Sequence, residues 1–451
     1  MAPARAPITP DGIPAELTSA CPDIAVARES DAVAGRPARF VAAPASTAEA
    51  AALLAAAAGL GLTVVARGSG SRLGWGGPPA SCDLIVDTRN LDQIVEHAAG
   101  DLVVTAQAGV RLDELAKTLA SANQRLAVDQ PADPAHGAGT VGGLIATGAT
   151  GPLRYRYGAP RDLLIGITVV RADGTVAHSG GKVVKNVAGY DLGKLFAGSY
   201  GTLGLITQAT FRLHPLPAAT RVLELDCPDP AASSRIVQMI ADSPLTPAAI
   251  ELYWPDADSK IGVAVLLEGD EASVADRAER MQALVGANGQ SGLARRDGEV
   301  SDAPVAAGPF RLVRQLAGVR ERAGTTVRVA FWVAHLPDVL TVLRTAAAEC
   351  GLGAEIGGSA GAGVLNVWVG ERAPADAVVR FVAAVRAGLE MLRVPAGPPS
   401  VASAVVVSAP AEVTEAIDVW GPVPSLGLMQ GVKDQFDPEH RLAPGRFVGG
   451  I

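Results

Sequence analysis

Glycine comes in bursts along this chain, and the first burst stands where an apolar run must hand over to a loop. Residues 64–79 read VVARGSGSRLGWGGPP: the apolar run stops at Ala66, and Gly68 and Gly70 then sit among Arg67, Ser69, Ser71 and Arg72. Without a Cβ, glycine tolerates left-handed backbone and close approach, so such a loop can aim several N–H groups at one point. A fixed set of donors of that kind holds an anion such as a diphosphate. A Rossmann loop would need the G-x-G-x-x-G spacing with a helix directly behind it. Here Gly68, Gly70 and Gly74 run one residue too long, and Gly76, Gly77, Pro78 and Pro79 stand in place of the helix. Taken alone, the segment serves equally well as an ordinary structural loop, because the chain has 51 glycines in 451 residues.

Two further glycine-rich stretches shift that balance. Residues 137–151, GAGTVGGLIATGATG, offer the Thr140 hydroxyl and close backbone approach at Gly142 and Gly143; residues 198–217, GSYGTLGLITQATFRLHPLP, run from a loop into a strand ending near His214. Between them lies GGKVVKNVAGYDLGKLFA, residues 180–197.

The rest of the first half reads as short strands and helices. Ser46-Thr47-Ala48-Glu49 has the capping-box pattern and opens an alanine-rich helix that Gly59 can close. Residues 62–66, 84–86 and 102–106 read as strands, and residues 111–119 as a helix buried along Leu112, Leu115, Ala116 and Leu119. Ala172-Asp173-Gly174 joins residues 163–171 to 175–179 as a hairpin. After His214-Pro215-Leu216-Pro217 the punctuation changes. Residues 222–225, 233–241, 249–253, 262–267 and 272–284 read β, α, β, β, α, and a similar set recurs at 327–333, 337–349, 363–369 and 374–388. That order fits a ferredoxin-like sheet-and-helix unit. The domains expected are a lead-in over residues 1–37, a first domain over 38–218, a second over 219–400, and a terminal segment over 401–451 that returns to the first, with a helix near 430–436.

Composition removes several functions. Nearly half the residues are hydrophobic (49%) and 19% are charged, so the chain has ample core and is not disordered. A net charge of −8 without a basic block leaves no electrostatic source for nucleic-acid binding. Cys21, Cys82, Cys227 and Cys350 are too scattered for a disulfide framework, a thiolate metal site or an iron–sulfur cluster, and suit a reduced cytoplasm. The N-terminal residues MAPARAPITPDGIPAE lack the apolar stretch of a secretory leader, and the uncharged run 50–66 is too short and too alanine-rich to span a bilayer.

The ordered series of glycine segments resembles the FAD-binding fold of the vanillyl-alcohol oxidase and para-cresol methylhydroxylase (PCMH) superfamily. Within it, KNVAGYDL at 185–192, GSYGTLG at 198–204 and DPEHRLAPGRF at 437–447 are similar to the FAD-binding subunits of bacterial glycolate oxidases. The likeness is strong over about residues 40–215, weak in the middle and moderate in the last twenty. It implies an α+β protein: a PCMH-type FAD-binding domain of two α/β subdomains, with a ferredoxin-like α+β cap. It implies that Arg67, Gly68, Ser69, Gly70, Ser71 and Arg72 wrap the diphosphate. Pro131, Gly139, Thr140, Gly142, Gly143, Ala146 and Thr147 would line the flavin, Gly201, Gly204 and Ile206 the adenosine side, and Arg446 would approach the ring. The partners implied are a catalytic flavin subunit and an iron–sulfur subunit, with glycolate, a small 2-hydroxy acid, oxidised to glyoxylate. The location implied is cytoplasmic, peripheral at the inner membrane through those partners.

Departures from the pattern carry information. Ser71 stands where covalently flavinylated relatives carry histidine, so the FAD expected is non-covalent. Tyr200 replaces the glutamate of GSEGTLG, and the H-x-G-D-G-N-x-H cluster of catalytic relatives has no counterpart among His97, His136, His178, His214, His335 and His440. No catalytic base is assigned. Two other readings remain open: a self-sufficient FAD enzyme acting on another hydroxy acid, sugar lactone or alcohol, and a flavin-binding assembly subunit whose cofactor does not turn over. Among single residues, His136 is a candidate for ring contact and His440 reads as solvated. Asp191 reads as a helix N-cap, Lys182 and Lys185 as phosphate-balancing or solvated, and Ala443 replaces an asparagine common in relatives.

Overall fold

The computed structural model describes residues 12–129, 132–133, 137–181, 190–287, 324–392 and 402–451. The chain divides into two compact units, one of Met1–Ala149, Ala159–Pro215 and Pro422–Ile451, the other of Thr150–Gly158 and Leu216–Gly421. Both mix helix and sheet, as the α+β expectation requires.

The first unit holds two sheets. In the smaller, the strand order is Ile24–Val26, Phe40–Ala42, Leu84–Asp87, Val64–Arg67, with the last three parallel. Parallel strands are covered on both faces and read as unbroken apolar runs. Leu84–Asp87 is buried throughout, and helix Thr47–Gly59 packs Ala50, Leu53, Leu54 and Ala57 against it. The capping box at the start of that helix forms with one change: Ser46 accepts from the Glu49 N–H at 3.1 Å, but the Glu49 carboxylate accepts from Ala45 (3.0 Å) instead of from the cap itself. The larger sheet is antiparallel, in the order Val176–Gly180, Leu164–Val170, Leu205–Arg212, Val103–Gln107, Ile94–Ala98. Its hairpin turns at Gly174, where φ is +84° and an added Cβ would fall 2.7 Å from Ala51 O. The same glycine therefore makes the turn and lets the hairpin tip rest on helix Thr47–Gly59.

The second unit is a seven-stranded antiparallel sheet in the order Ala219–Cys227, Ile261–Gly269, Ala249–Trp254, Ala354–Gly358, Val364–Gly370, Gly324–Phe331, Ala402–Ser408. Helices Pro230–Ala241, Glu271–Ala287, Leu336–Glu349 and Ala375–Glu390 lay their apolar faces on it in one core. The β-α-β-β-α set expected from sequence is present, and the similar set after it is completed to the same order by strand Ala354–Gly358. They fuse into a single sheet where Leu252, Tyr253 and Trp254 pair with Gly358, Gly357 and Ile356.

Three sequence expectations are corrected here. The return to the first unit falls at Pro422, not at 401, because Ala402–Ser408 is an edge strand paired with Gly324–Phe331. Ala354–Gly358, with its two terminal glycines, is a strand that the apolar pattern passed over. Asp191 does not cap a helix: Gly193–Phe196 begins at Leu192 without a side-chain cap, and the Asp191 carboxylate pairs with Lys194 at 3.2 Å. The loop read near 292–308 lies outside the described residues.

Candidate functional site

Strand Val64–Arg67 delivers the glycine loop to the end of the smaller sheet, and its last residue turns away from the loop. Arg67 pairs in register with Asp87 and ion-pairs with Asp31 at 2.6 Å and Asp87 at 2.9 Å. Those hydrogen bonds hold the Asp31 carboxyl below the usual range. After Arg67 the chain bends twice, the Leu73 N–H donating to Gly70 O (3.1 Å) and the Trp75 N–H to Arg72 O (3.2 Å). Among the described residues, the N–H groups of Gly68, Ser69, Gly70 and Ser71 find no backbone acceptor. Residues 68–71 are half-buried, so this run of four donors is left to water or to an external acceptor in the cleft.

These residues line a cleft of about 530 Å³, mouth included, with Ala66, Arg72, Leu73, Thr140, Gly143, Ala146, Thr147, Tyr200, Gly201 and Arg446. The opposite wall is helix Val141–Thr147, capped by Thr140, whose hydroxyl accepts from the Gly143 N–H at 3.2 Å. Gly68 is obligatory for space: a Cβ there would lie 2.2 Å from Thr140 Oγ1. The third wall is the turn at Tyr200 and Gly201, both left-handed at φ 55° and 77°, with the Tyr200 ring stacked on Phe447 at 5.9 Å. The fourth comes from the C-terminal tail. Arg446 is buried and donates to Leu73 O (3.0 Å) and Trp75 O (2.8 Å), and burial pushes its guanidinium down to about 10. Arg72, also buried, lies over the Trp75 ring at 5.2 Å. The lining thus carries two buried arginines and, among the described residues, no carboxylate.

Of the residues expected at the cofactor, Gly68, Ser69, Gly70, Ser71, Arg72, Thr140, Gly143, Ala146, Thr147, Gly201 and Arg446 are brought together on this one cleft. Arg67, Gly139, Gly142, Gly204 and Ile206 are not on it. Gly142 lets helix Val141–Thr147 sit against Ala108, and Gly204 makes room for Phe196. Gly139 backs the Arg72 guanidinium, and Ile206 is buried in its strand. Pro131, His136, Lys182 and Lys185 lie outside the described residues. Sequence reasoning missed Ala66, Leu73 and Tyr200 as lining residues, although Tyr200 was visible as the odd member of its motif. No described histidine lines the cleft; His440, read as solvated, is exposed and pairs with Asp434 at 2.8 Å.

A row of spare N–H donors, a glycine that must stay bare and two buried cations suit the diphosphate of a dinucleotide. The fold and cleft together are suited to hold a dinucleotide such as FAD. Residues 38–180 match the family model described as FAD binding domain. The chain is 35% identical over 215 residues to glycolate oxidase subunit GlcE of Escherichia coli (strain K12), covering 47% of this chain and 57% of that one. It is likewise 35% identical over 189 residues to glycolate oxidase subunit GlcD of Bacillus subtilis (strain 168), covering 42% and 39%. The chain therefore spans about half the length of these curated relatives. A solved structure of p-cresol methylhydroxylase with substrate bound shares the fold, with a TM-score of 0.72 at 16% identity over 96% of this chain and 95% of that one.

Proposed function

We propose that this chain is a non-covalent FAD-binding subunit of a 2-hydroxy acid dehydrogenase complex of glycolate oxidase type, working with a catalytic flavin subunit and an iron–sulfur subunit. The observation that carries the reading is the row of four spare N–H groups at Gly68–Ser71, facing a cleft with two buried arginines and no acid. Gly68, Ser69, Gly70 and Ser71 hold the diphosphate by their N–H groups. Thr140, Gly143, Ala146 and Thr147 form the wall along the flavin, and Arg446 fixes the Leu73–Trp75 turn while placing positive charge in the cleft. FAD, when bound by these residues, would supply two-electron redox chemistry.

Non-covalent attachment is supported by a lining with no histidine or cysteine among the described residues. Dependence on a partner is supported by the same lining, which offers no imidazole base within reach of a substrate hydroxyl. No described helix is long and apolar enough to cross a membrane, and we place the chain in the cytoplasm, reaching a membrane only through partners.

The test begins with the visible spectrum of the purified chain, which carries a flavin band near 450 nm that acid precipitation releases into the supernatant. Glycolate added without oxygen leaves that band intact in the isolated chain and bleaches it when the partner subunits are present. Bleaching by the isolated chain overturns the partner-dependent reading, and absence of any flavin overturns the assignment altogether.

A further inference from the structure

Lys433 sits on helix Leu426–Phe436, outside the cleft, with a fully buried side chain. An ammonium has three donors, and each finds an oxygen: Asp437 Oδ2 at 2.7 Å, Thr202 O at 2.7 Å and Leu442 O at 3.0 Å. Asp437 is buried as well. Its carboxylate accepts from the backbone N–H of Arg441 (3.1 Å) and of Leu442 (2.7 Å).

Each oxygen belongs to a segment that leads to the cleft. Thr202 closes the turn holding Tyr200 and Gly201, its own N–H bonded to Ser199 O at 3.0 Å. Leu442 lies in the tail, which runs parallel to the strand bearing the glycine loop; the Val64 N–H donates to Arg441 O and the Ala443 N–H to Val64 O, both at 2.8 Å. Four residues beyond Leu442, Arg446 grips Leu73 O and Trp75 O, and Phe447 stacks on Tyr200. The contacts make a closed circuit: strand to tail, tail to Lys433, Lys433 to the turn, turn to Phe447, and Arg446 back to the loop after the strand.

We propose that Lys433 is a positioning residue for the cofactor: with Asp437 as its counter-charge, it fixes the spacing between the Tyr200–Gly201 turn, the Arg446 tail and the Gly68–Ser71 donors, and so sets how tightly FAD is held. The proposal rests on the reading of the cleft as an FAD site. Groups behind a binding set act by holding it in the productive geometry, and outer groups behind a metal site typically contribute about 10- to 100-fold in affinity.

The experiment titrates the full-length apoprotein with FAD and follows the quenching of flavin fluorescence, well below the unfolding temperature of every variant. Lys433→Met leaves the Asp437 charge buried and alone, so the deciding variant is Lys433→Met with Asp437→Asn, which removes both charges and keeps the fold. Circular dichroism checks that it does. Leu343→Ala, a fully buried position in the second unit, serves as a control for general loss of stability. The double variant binds FAD about 10- to 100-fold more weakly and its flavin band broadens toward that of free FAD, while Leu343→Ala binds like the parent. A folded double variant with parental affinity, or a Leu343→Ala chain weakened as much as the double variant, overturns the positioning role. A parent chain that takes up no FAD overturns the underlying reading too, and the first titration identifies that case.

Discussion

Gly68→Ala is the sharpest probe of the cleft, because the backbone at Gly68 is not in the left-handed region and only space demands glycine there. The new methyl would stand 2.2 Å from Thr140 Oγ1 and 3.3 Å from Thr140 Cβ and Cγ2. Carbon and oxygen meet at about 3.3 Å, so the hydroxyl must retreat by about 1 Å. Thr140 is itself buried, and its Oγ1 caps helix Val141–Thr147 through the Gly143 N–H. Retreat therefore costs overpacking strain of about 1–3 kcal/mol and the cap of about 1 kcal/mol, for a total of about 2–4 kcal/mol. At about 2–4 °C per kcal/mol for a unit of this size, the melting transition of the first unit drops by roughly 5–15 °C. Thr140→Ala alone forfeits only the cap, about 1 kcal/mol. With the oxygen gone, Gly68→Ala adds little to it, so the double variant melts close to Thr140→Ala and the two changes couple by about 2–4 kcal/mol. Scanning calorimetry of the four chains decides. If the losses simply add, so that the double variant is the least stable of the four, the contact does not govern this position and the reasoning fails.

Other expectations follow from the charges around the cleft. Arg446→Lys removes the Nη2 donor that bonds both Leu73 O and Trp75 O, and a lysine starts from an ordinary value about two units lower while meeting the same burial. FAD binding by this variant weakens as pH rises and does so at lower pH than in the parent, which an equilibrium titration from pH 6 to 10 reads; superimposable pH profiles would refute it. Asp31→Asn removes one of the two carboxylates on Arg67, costing about 1 kcal/mol because the pair is partly exposed and Asp87 remains. Since Arg67 lowers the folded-state value of Asp31, its contribution is whole above the ordinary carboxylate value of about 3.9 and fades as pH falls through the folded value. The stability gap between Asp31→Asn and the parent is thus full at pH 7 and narrows as pH falls below about 4, and a gap that stays constant or widens on acidification would count against the ion pair.

Features with a local cause were legible in the sequence. The hairpin at Ala172–Gly174, the helix opening at Ser46 and the first β-α-β-β-α set all follow from turn chemistry, capping or apolar period. The glycine loop was set apart from a Rossmann turn by its spacing, but taken alone it read equally well as an anion cradle or an ordinary structural loop. What escaped depends on partners far along the chain. Arg67 looks like its neighbour Arg72 in sequence, yet sheet register places it beside Asp87, and only the fold brings Asp31 within 2.6 Å. Lys433 reads as a solvated helix lysine until carbonyls of Thr202 and Leu442 close over it. Ala402–Ser408 follows a proline-rich stretch that looked like the end of its domain, and its pairing with Gly324–Phe331 spans over seventy residues of chain.

The tail that threads beside Val64 has a bearing on how the protein is made. Residues needed by the glycine loop emerge from the ribosome some 370 positions after it, once the whole second unit has been synthesised. The early half of the first unit must wait half-built, its edge beside Val64 open and its arginine missing. On the proposed reading of the cleft, cofactor capture is then one of the last events in the life of the nascent chain.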